Sequence, residues 1–186
     1  MAAVGLYGGA FDPPHVGHVE VARAAKERFG LPRLVVLVAA SPGHKVVHAS
    51  AEDRLELARA AFPDDDVRLD PHPRTIDLLR AERFEDPLFV IGADQFCDFR
   101  LWQDPDSVLE LARLAVATRP GFPRDRLDAV LRELRQPDRV LFFELEPNPA
   151  ASTDARALAA AGKPLDGLVP PAVAAIIEAR GLYRAD

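Results

Sequence analysis

The chain has 186 residues, 48% of them hydrophobic and 28% charged, which suits the core and the water-facing surface of one compact domain. Its formal net charge of −6 argues against a general nucleic-acid binder, so any polyanionic ligand must be held by local cations and backbone amides. A single cysteine, Cys97, excludes an intramolecular disulfide and a cysteine-based zinc cluster. The N-terminus does not read as a signal peptide and no run nears the roughly 18 apolar residues of a membrane span, so a cytoplasmic protein with no membrane partner is expected.

In chain order, Val4–Gly8 reads as a strand that enters a Gly-Gly-Ala-Phe-Asp-Pro-Pro turn. A helix follows from about His15 to Phe29, with Val19, Ala22, Ala25 and Phe29 on its inner face; Gly30 and Pro32 stop it. Leu34–Ala40 is a near-continuous apolar run, as a strand buried on both faces requires. The loop Ser41–Ala49 leads to a helix over Ala51–Ala61 with Ser50 as N-cap. Val67–Asp70 is a weak strand, and a helix lies near Thr75–Arg83. Leu88–Gly92 and Leu114–Thr118 are strands, with one short helix between Gly92 and Trp102.

Arg124–Leu134 reads as an amphipathic helix and Val140–Leu145 as the last strand. Glu146–Ala151 is broken by prolines, after which Ser152 or Thr153 caps a short helix toward Ala161. The tail Pro170–Gly181 is a helix with proline at its start and glycine at its end. The strand–helix alternation predicts an α/β fold: a Rossmann-like, doubly wound, mostly parallel sheet with helices on both faces. The expectation is one domain over 1–186, with a core of about 1–150 and a small C-terminal helical subregion of about 151–186 that meets phosphate.

The segment Gly8-Gly9-Ala10-Phe11-Asp12-Pro13-Pro14-His15-Val16-Gly17-His18 leaves a strand and opens a helix, where open α/β sheets bind ligands. Glycines let the backbone approach a phosphate, and a helix start offers unpaired amides with partial positive charge. His15 and His18 are three residues apart, so one helical face presents both, and Gly17 between them leaves room beside a ligand. Glycines alone make a turn, and two histidines alone are often a surface pair; the whole constellation points to a site. A zinc reading needs a third protein ligand, and Asp12, His44, His48 and His72 offer no compelling spacing.

His15-Val16-Gly17-His18 resembles the (T/H)xGH signature of the nucleotidylyltransferase superfamily. Three further segments resemble the nicotinate-nucleotide adenylyltransferase family within it: Ser41-Pro42-Gly43-His44-Lys45, Gly92-Ala93-Asp94 with Trp102 following, and Ser152-Thr153-Asp154-Ala155-Arg156. The ending, from Leu168-Val169-Pro170-Pro171 to Gly181-Leu182-Tyr183, is also similar, so the resemblance spans nearly the whole chain. It implies transfer of an adenylyl group from ATP to nicotinate mononucleotide, giving deamido-NAD and pyrophosphate in NAD biosynthesis. The acceptor phosphate is already an anion, so positioning and charge neutralisation carry the catalysis and no general base is needed.

By the same resemblance, His15, His18, Lys45 and Arg156 are the catalytic groups around the phosphates. ATP would meet Gly8, Gly9, Phe11, Asp12, Gly92, Asp94, Arg119, Ser152 and Thr153. Asp94 would take the ribose hydroxyls, and Arg119, in Thr118-Arg119-Pro120-Gly121, would lie beside the adenosine. Ser152 and Asp94 have plainer readings as helix caps, and Lys45 as a solvated loop residue. Nicotinate mononucleotide would meet Thr75, Arg74 and Trp102, the last stacking on the pyridine ring rather than filling the core. Magnesium would be held chiefly by ATP phosphates, with no protein ligand assigned. The expected partners are ATP and a small phosphorylated substrate, with no nucleic acid; a homo-oligomer is compatible with the sequence.

The chain departs from the family in having Pro73-Arg74-Thr75 where Ser-Tyr-Thr is usual, and Pro-Gly-His-Lys where the lysine loop usually carries two prolines. Other readings are an adenylyltransferase for nicotinamide mononucleotide or phosphopantetheine, and a non-catalytic nucleotide-binding module. Length, acidity and the lack of an anticodon-binding region argue against a class I aminoacyl-tRNA synthetase. If Arg74 faces the nicotinate carboxylate, Arg74→Ala loses discrimination between nicotinate and nicotinamide mononucleotides at unchanged ATP affinity. Rates with the two acceptors check this, and unaltered discrimination contradicts it.

Overall fold

A computed structural model describes residues 3–43, 46–146 and 148–184. Six strands, β1 (Gly5–Gly9), β2 (Leu34–Ala39), β3 (Asp66–Asp70), β4 (Leu88–Gly92), β5 (Arg113–Thr118) and β6 (Val140–Glu144), form one sheet in the order β3-β2-β1-β4-β5-β6. All five pairings are parallel, so the sheet is wholly rather than mostly parallel. The eight α-helices among the described residues are α1 (Val16–Phe29), α2 (Ala51–Ala61), α3 (Thr75–Ala81), α4 (Ala93–Cys97), α5 (Pro105–Leu111), α6 (Arg124–Leu131), α7 (Ser152–Ala160) and α8 (Pro171–Arg180). No helix among them is long and apolar enough to cross a membrane.

Strand alternation divides the core into two layers. Tyr7, Val36, Val38, Val90, Ala115 and Ala117 pack with α1, α2, α7 and α8 through residues such as Ala25, Leu57, Ala155 and Val173. Their neighbours Leu6, Leu37, Phe89, Ile91, Leu114 and Val116 pack on the other face with α3 to α6, through Ile76, Phe96, Leu109 and Leu127. Because both faces are covered, the central strands read as unbroken apolar runs. The chain winds outward from β1 through β2 to β3, then returns past β1 to β4. The order reverses between β1 and β4, and the loops that leave these strands diverge to opposite faces. That leaves a crevice at the carboxyl edge of the sheet.

Several boundaries move for local reasons. Ser50 caps α2 as expected, its hydroxyl accepting the Asp53 amide at 3.0 Å. α6 ends at Leu131, not Leu134, because its last turn tightens into Glu133 N–H to Val130 O and Leu134 N–H to Leu131 O bonds. α3 stops at Ala81, before Arg83, where Glu82 turns to extended backbone. The cap of α7 is Ala151, not Ser152 or Thr153; Ser152 is the first helical residue, and its hydroxyl donates 2.9 Å away to the Pro13 carbonyl. α5 has no counterpart among the expected elements, although Asp104-Pro105 is a helix start.

Candidate active site

The crevice holds a cavity of about 680 Å³. Its floor is the loop after β1. Phe11 there has a left-handed backbone (φ 50°), a conformation that costs a non-glycine residue about 1–2 kcal/mol. Burial of its ring, which is 2% exposed and stands edge-on to Tyr7, His18 and Phe62 with centroids 5.2–5.6 Å away, offsets that cost. Gly9 makes the fold-back feasible: a β-carbon there would come within 2.9 Å of the Phe11 ring. Phe11 therefore supports the loop from beneath and braces His18.

His15 is the N-cap of α1. Its backbone N–H donates to His18 Nδ1 at 3.1 Å, which leaves the proton of a neutral His18 ring on Nε2. The two rings lie 3.7 Å apart between centroids and are tilted by 34°. Gly17 does make room, but for His15: a β-carbon there would meet the His15 ring at 3.0 Å. His15 Nδ1 is buried with no hydrogen-bond partner among the described residues, and burial pushes the imidazole down to about 4. A partnerless buried polar atom beside the cavity is the kind of group a ligand satisfies.

The far wall is the start of α7. Arg156 donates to the Asp12 carbonyl at 2.6 Å, and Ser152 to the Pro13 carbonyl, so this helix is moored to the β1 loop. The amides of Ser152, Thr153 and Asp154 have no acceptor among the described residues. They form a helix N-terminus open toward the imidazole pair. Asn148 steadies the preceding turn, donating to Glu20 of α1 at 2.9 Å and accepting from the Ala150 amide at 2.9 Å. Gly92 and the exposed Asp94, at the start of α4, and the exposed Arg119, after β5, complete the lining. Gly92 caps α4 and Gln95 Oε1 accepts its amide, so Asp94 is not the cap.

The cavity thus gathers Gly8, Gly9, Phe11, Asp12, His15, His18, Gly92, Asp94, Arg119, Ser152, Thr153 and Arg156 from the expected set. It does not gather the acceptor set. Arg74 is exposed as the cap of α3, without an ion pair among the described residues, and Thr75 is half-buried. Trp102 stands edge-on to Phe89 and Phe99, packed against the layer of α3 to α6. Lys45 and its neighbour His44 lie outside the described residues.

Three groups around the loop after β1 have roles that their residue types do not reveal. Arg54, 1% exposed, donates to the carbonyls of Ala10, Ala39, Ala40 and Ala49. The Asp12 carboxylate accepts the amides of His48 (2.7 Å) and Ala49 (3.1 Å) and the Tyr183 hydroxyl (2.9 Å), so it is used within the protein. Burial, and then the Asp12 charge, push the Tyr183 phenol well above its usual range, which keeps it a donor. Arg54 has a legible signal: with Leu57, Ala58 and Ala61 it occupies the inner face of α2. Tyr183 has none beyond its place after Gly181.

The sequence profile of the cytidylyltransferase-like family matches residues 6–157. A Rubrobacter xylanophilus protein named probable nicotinate-nucleotide adenylyltransferase is 38% identical over 199 residues, covering 98% of this chain and 92% of that one. The chain belongs to the nicotinate-nucleotide adenylyltransferase family. A member from Thermus thermophilus, of the same name, is 36% identical and covers 97% of this chain and 99% of its own. The nicotinic acid mononucleotide adenylyltransferase of Plasmodium falciparum, solved in complex with NaAD, shares the fold with a TM-score of 0.77 at 15% identity, covering 98% of each chain. Membership makes this chain a nucleotidyltransferase on a Rossmann-like fold.

The half-buried His15 ring has a consequence for stability in this adenylyltransferase-family fold. Its folded value lies below the ordinary 6.5, so the unfolded chain takes up the proton first. Its contribution is complete above pH 6.5 and is lost as pH falls toward 4. An NMR titration of the ligand-free protein gives a His15 midpoint near 4, whereas a midpoint above about 6 contradicts a desolvated ring.

Proposed function

We propose that the chain joins ATP to nicotinate mononucleotide, producing deamido-NAD and pyrophosphate, and that the triphosphate lies between the imidazole pair and the start of α7. The observation that carries this is the convergence of two helix starts, His18 and Arg156 on one cavity at the strand-order reversal. Relatives across nearly the whole chain bear the corresponding name. An oxygen of the acceptor phosphate forms a bond to the α-phosphorus of ATP, and the bond from that phosphorus to the bridging oxygen of the leaving pyrophosphate breaks. The attacking oxygen carries no proton to remove, so the step needs neither a general base nor an activated nucleophile.

In this reading the His18 Nε2–H donates to the α-phosphate, where charge builds during transfer. A ring N–H of His15, neutral when free, donates to a phosphate oxygen. The amides of Ser152 and Thr153 take β/γ oxygens, and the remaining guanidinium donors of Arg156 add charge. Lys45, carried over from the family resemblance, adds a cation to the phosphates. Gly8 and Gly9 allow close backbone approach, Gly92 and Asp94 receive the ribose, and Arg119 lies beside the adenosine. Arg74, Thr75 and Trp102 form the acceptor side, which requires their segments to close on the cavity from outside it.

Among the described residues no three His, Cys, Asp or Glu side chains form a metal cluster. Mg²⁺ would be carried chiefly on ATP phosphate oxygens, where it would offset the charge of the departing pyrophosphate. The enzyme would act in the cytoplasm on these small molecules, without nucleic acid or membrane, as a monomer or homo-oligomer.

Pyrophosphate release with ATP, Mg²⁺ and a panel of nicotinate mononucleotide, nicotinamide mononucleotide and phosphopantetheine tests the assignment. Nicotinate mononucleotide gives the highest kcat/KM; a preference for either other acceptor overturns the substrate. His18→Ala lowers kcat by about 100-fold or more and leaves the affinity for a non-hydrolysable ATP analogue nearly unchanged. Surviving turnover contradicts the role of His18.

A further inference from the structure

Asp12 stands in the phosphate loop, yet its carboxylate is only 5% exposed and serves the protein rather than the cavity. Its two oxygens accept the amides of His48 and Ala49, which end the loop after β2, and the hydroxyl of Tyr183, which follows α8. Its main-chain carbonyl holds Arg156. Arg54 ties the same segments from below, binding the carbonyl of Ala10 in the phosphate loop, those of Ala39 and Ala40 at the end of β2, and that of Ala49. A loop that merely bridged strand and helix would need neither a buried carboxylate nor a buried guanidinium, since each is costly to desolvate.

Tyr183 adds a second, separate sign. Its backbone is left-handed at φ 65°, a conformation a tyrosine rarely adopts, and Gly181 two residues earlier is left-handed as well at φ 62°. This double reversal ends α8 and carries the phenol back to Asp12. Strain of this kind persists where the surrounding contacts over-determine it. Val46 and Val47, just ahead of the two bonded amides, line the cavity, so any slackening at residues 48 and 49 reaches the wall of the site.

We propose that Asp12, Arg54 and Tyr183 form a positioning unit in which the tail hydroxyl fixes the Asp12 carboxylate and thereby docks the segment 46–49 against the phosphate loop. The unit acts on the adenylyl-transfer site and rests on that reading. None of the three side chains needs to touch substrate; they set the distance between the wall that follows Lys45 in sequence and the floor that carries the histidines.

Tyr183→Phe removes the hydroxyl and keeps the ring. In steady-state assays kcat falls about tenfold, the order expected for one hydrogen bond to a buried carboxylate. The affinity for a non-hydrolysable ATP analogue changes less than about twofold. A tail that only stabilised the fold would leave kcat per folded molecule intact, and that result overturns the proposal. Asp12→Asn slows the enzyme further, and the double variant is no slower than Asp12→Asn alone, because both act through one bond; additive losses overturn the proposal. Amide exchange followed by NMR reads the docking without turnover. His48 and Ala49 exchange about tenfold faster in Tyr183→Phe, and unchanged exchange at both overturns it. An unsubstituted protein that releases no pyrophosphate defeats the adenylyl-transfer reading instead, and the exchange comparison still decides the latch.

Discussion

Two hydrogen bonds from the first turns of α7 to the loop after β1 hold the site together: Arg156 to the Asp12 carbonyl and Ser152 to the Pro13 carbonyl. They join residues some 140 positions apart in sequence. Without that mooring, the open amides at the start of α7 would have no fixed relation to the imidazole pair at the start of α1. The charged bond contributes on the order of 1.5–3 kcal/mol and the neutral one about 0.5–1.5 kcal/mol. Such terms are small beside the burial that builds the two core layers, but they set a geometry that burial alone leaves free.

An acidic chain that binds a polyanion must concentrate positive potential where the ligand sits. With a net charge of −6 the overall field opposes ATP, so the site relies on fixed dipoles and few cations. A helix N-terminus is worth roughly 0.3–2 kcal/mol to an anion, which is modest singly and significant when several donors converge. The neutrality of His15 follows from the scarcity of solvent around its ring: an imidazolium is hard to hold in a partly desolvated place.

The sheet and its layers are legible because the apolar runs at Leu34–Ala39 and Leu88–Gly92 are long enough to require burial on both faces. α4, with five residues, is too short for a helical period to register, although the spacing before Trp102 implies a short helix. α5 is not legible despite Asp104-Pro105, because its buried residues, Val108 and Leu109, are adjacent in sequence and mark no helical period. The half of the cavity around the histidines can be read because its chemistry is local: glycines, two histidines and a helix start within one segment. The buried hub cannot. Asp12 looks like a cavity carboxylate until the amides of His48 and Ala49 and the hydroxyl of Tyr183 are seen to occupy it, and these are tertiary facts. Trp102 illustrates the same limit, since no local pattern tells that its ring stands edge-on to Phe89 and Phe99.

A crystal structure of the protein with a non-hydrolysable ATP analogue bound tests the central claim directly. The account predicts the triphosphate at the carboxyl ends of β1 and β4, with His18, the amides of Ser152 and Thr153, and Arg156 all within hydrogen-bonding distance of its oxygens. A triphosphate bound elsewhere, or bound there without contact to the start of α7, contradicts it.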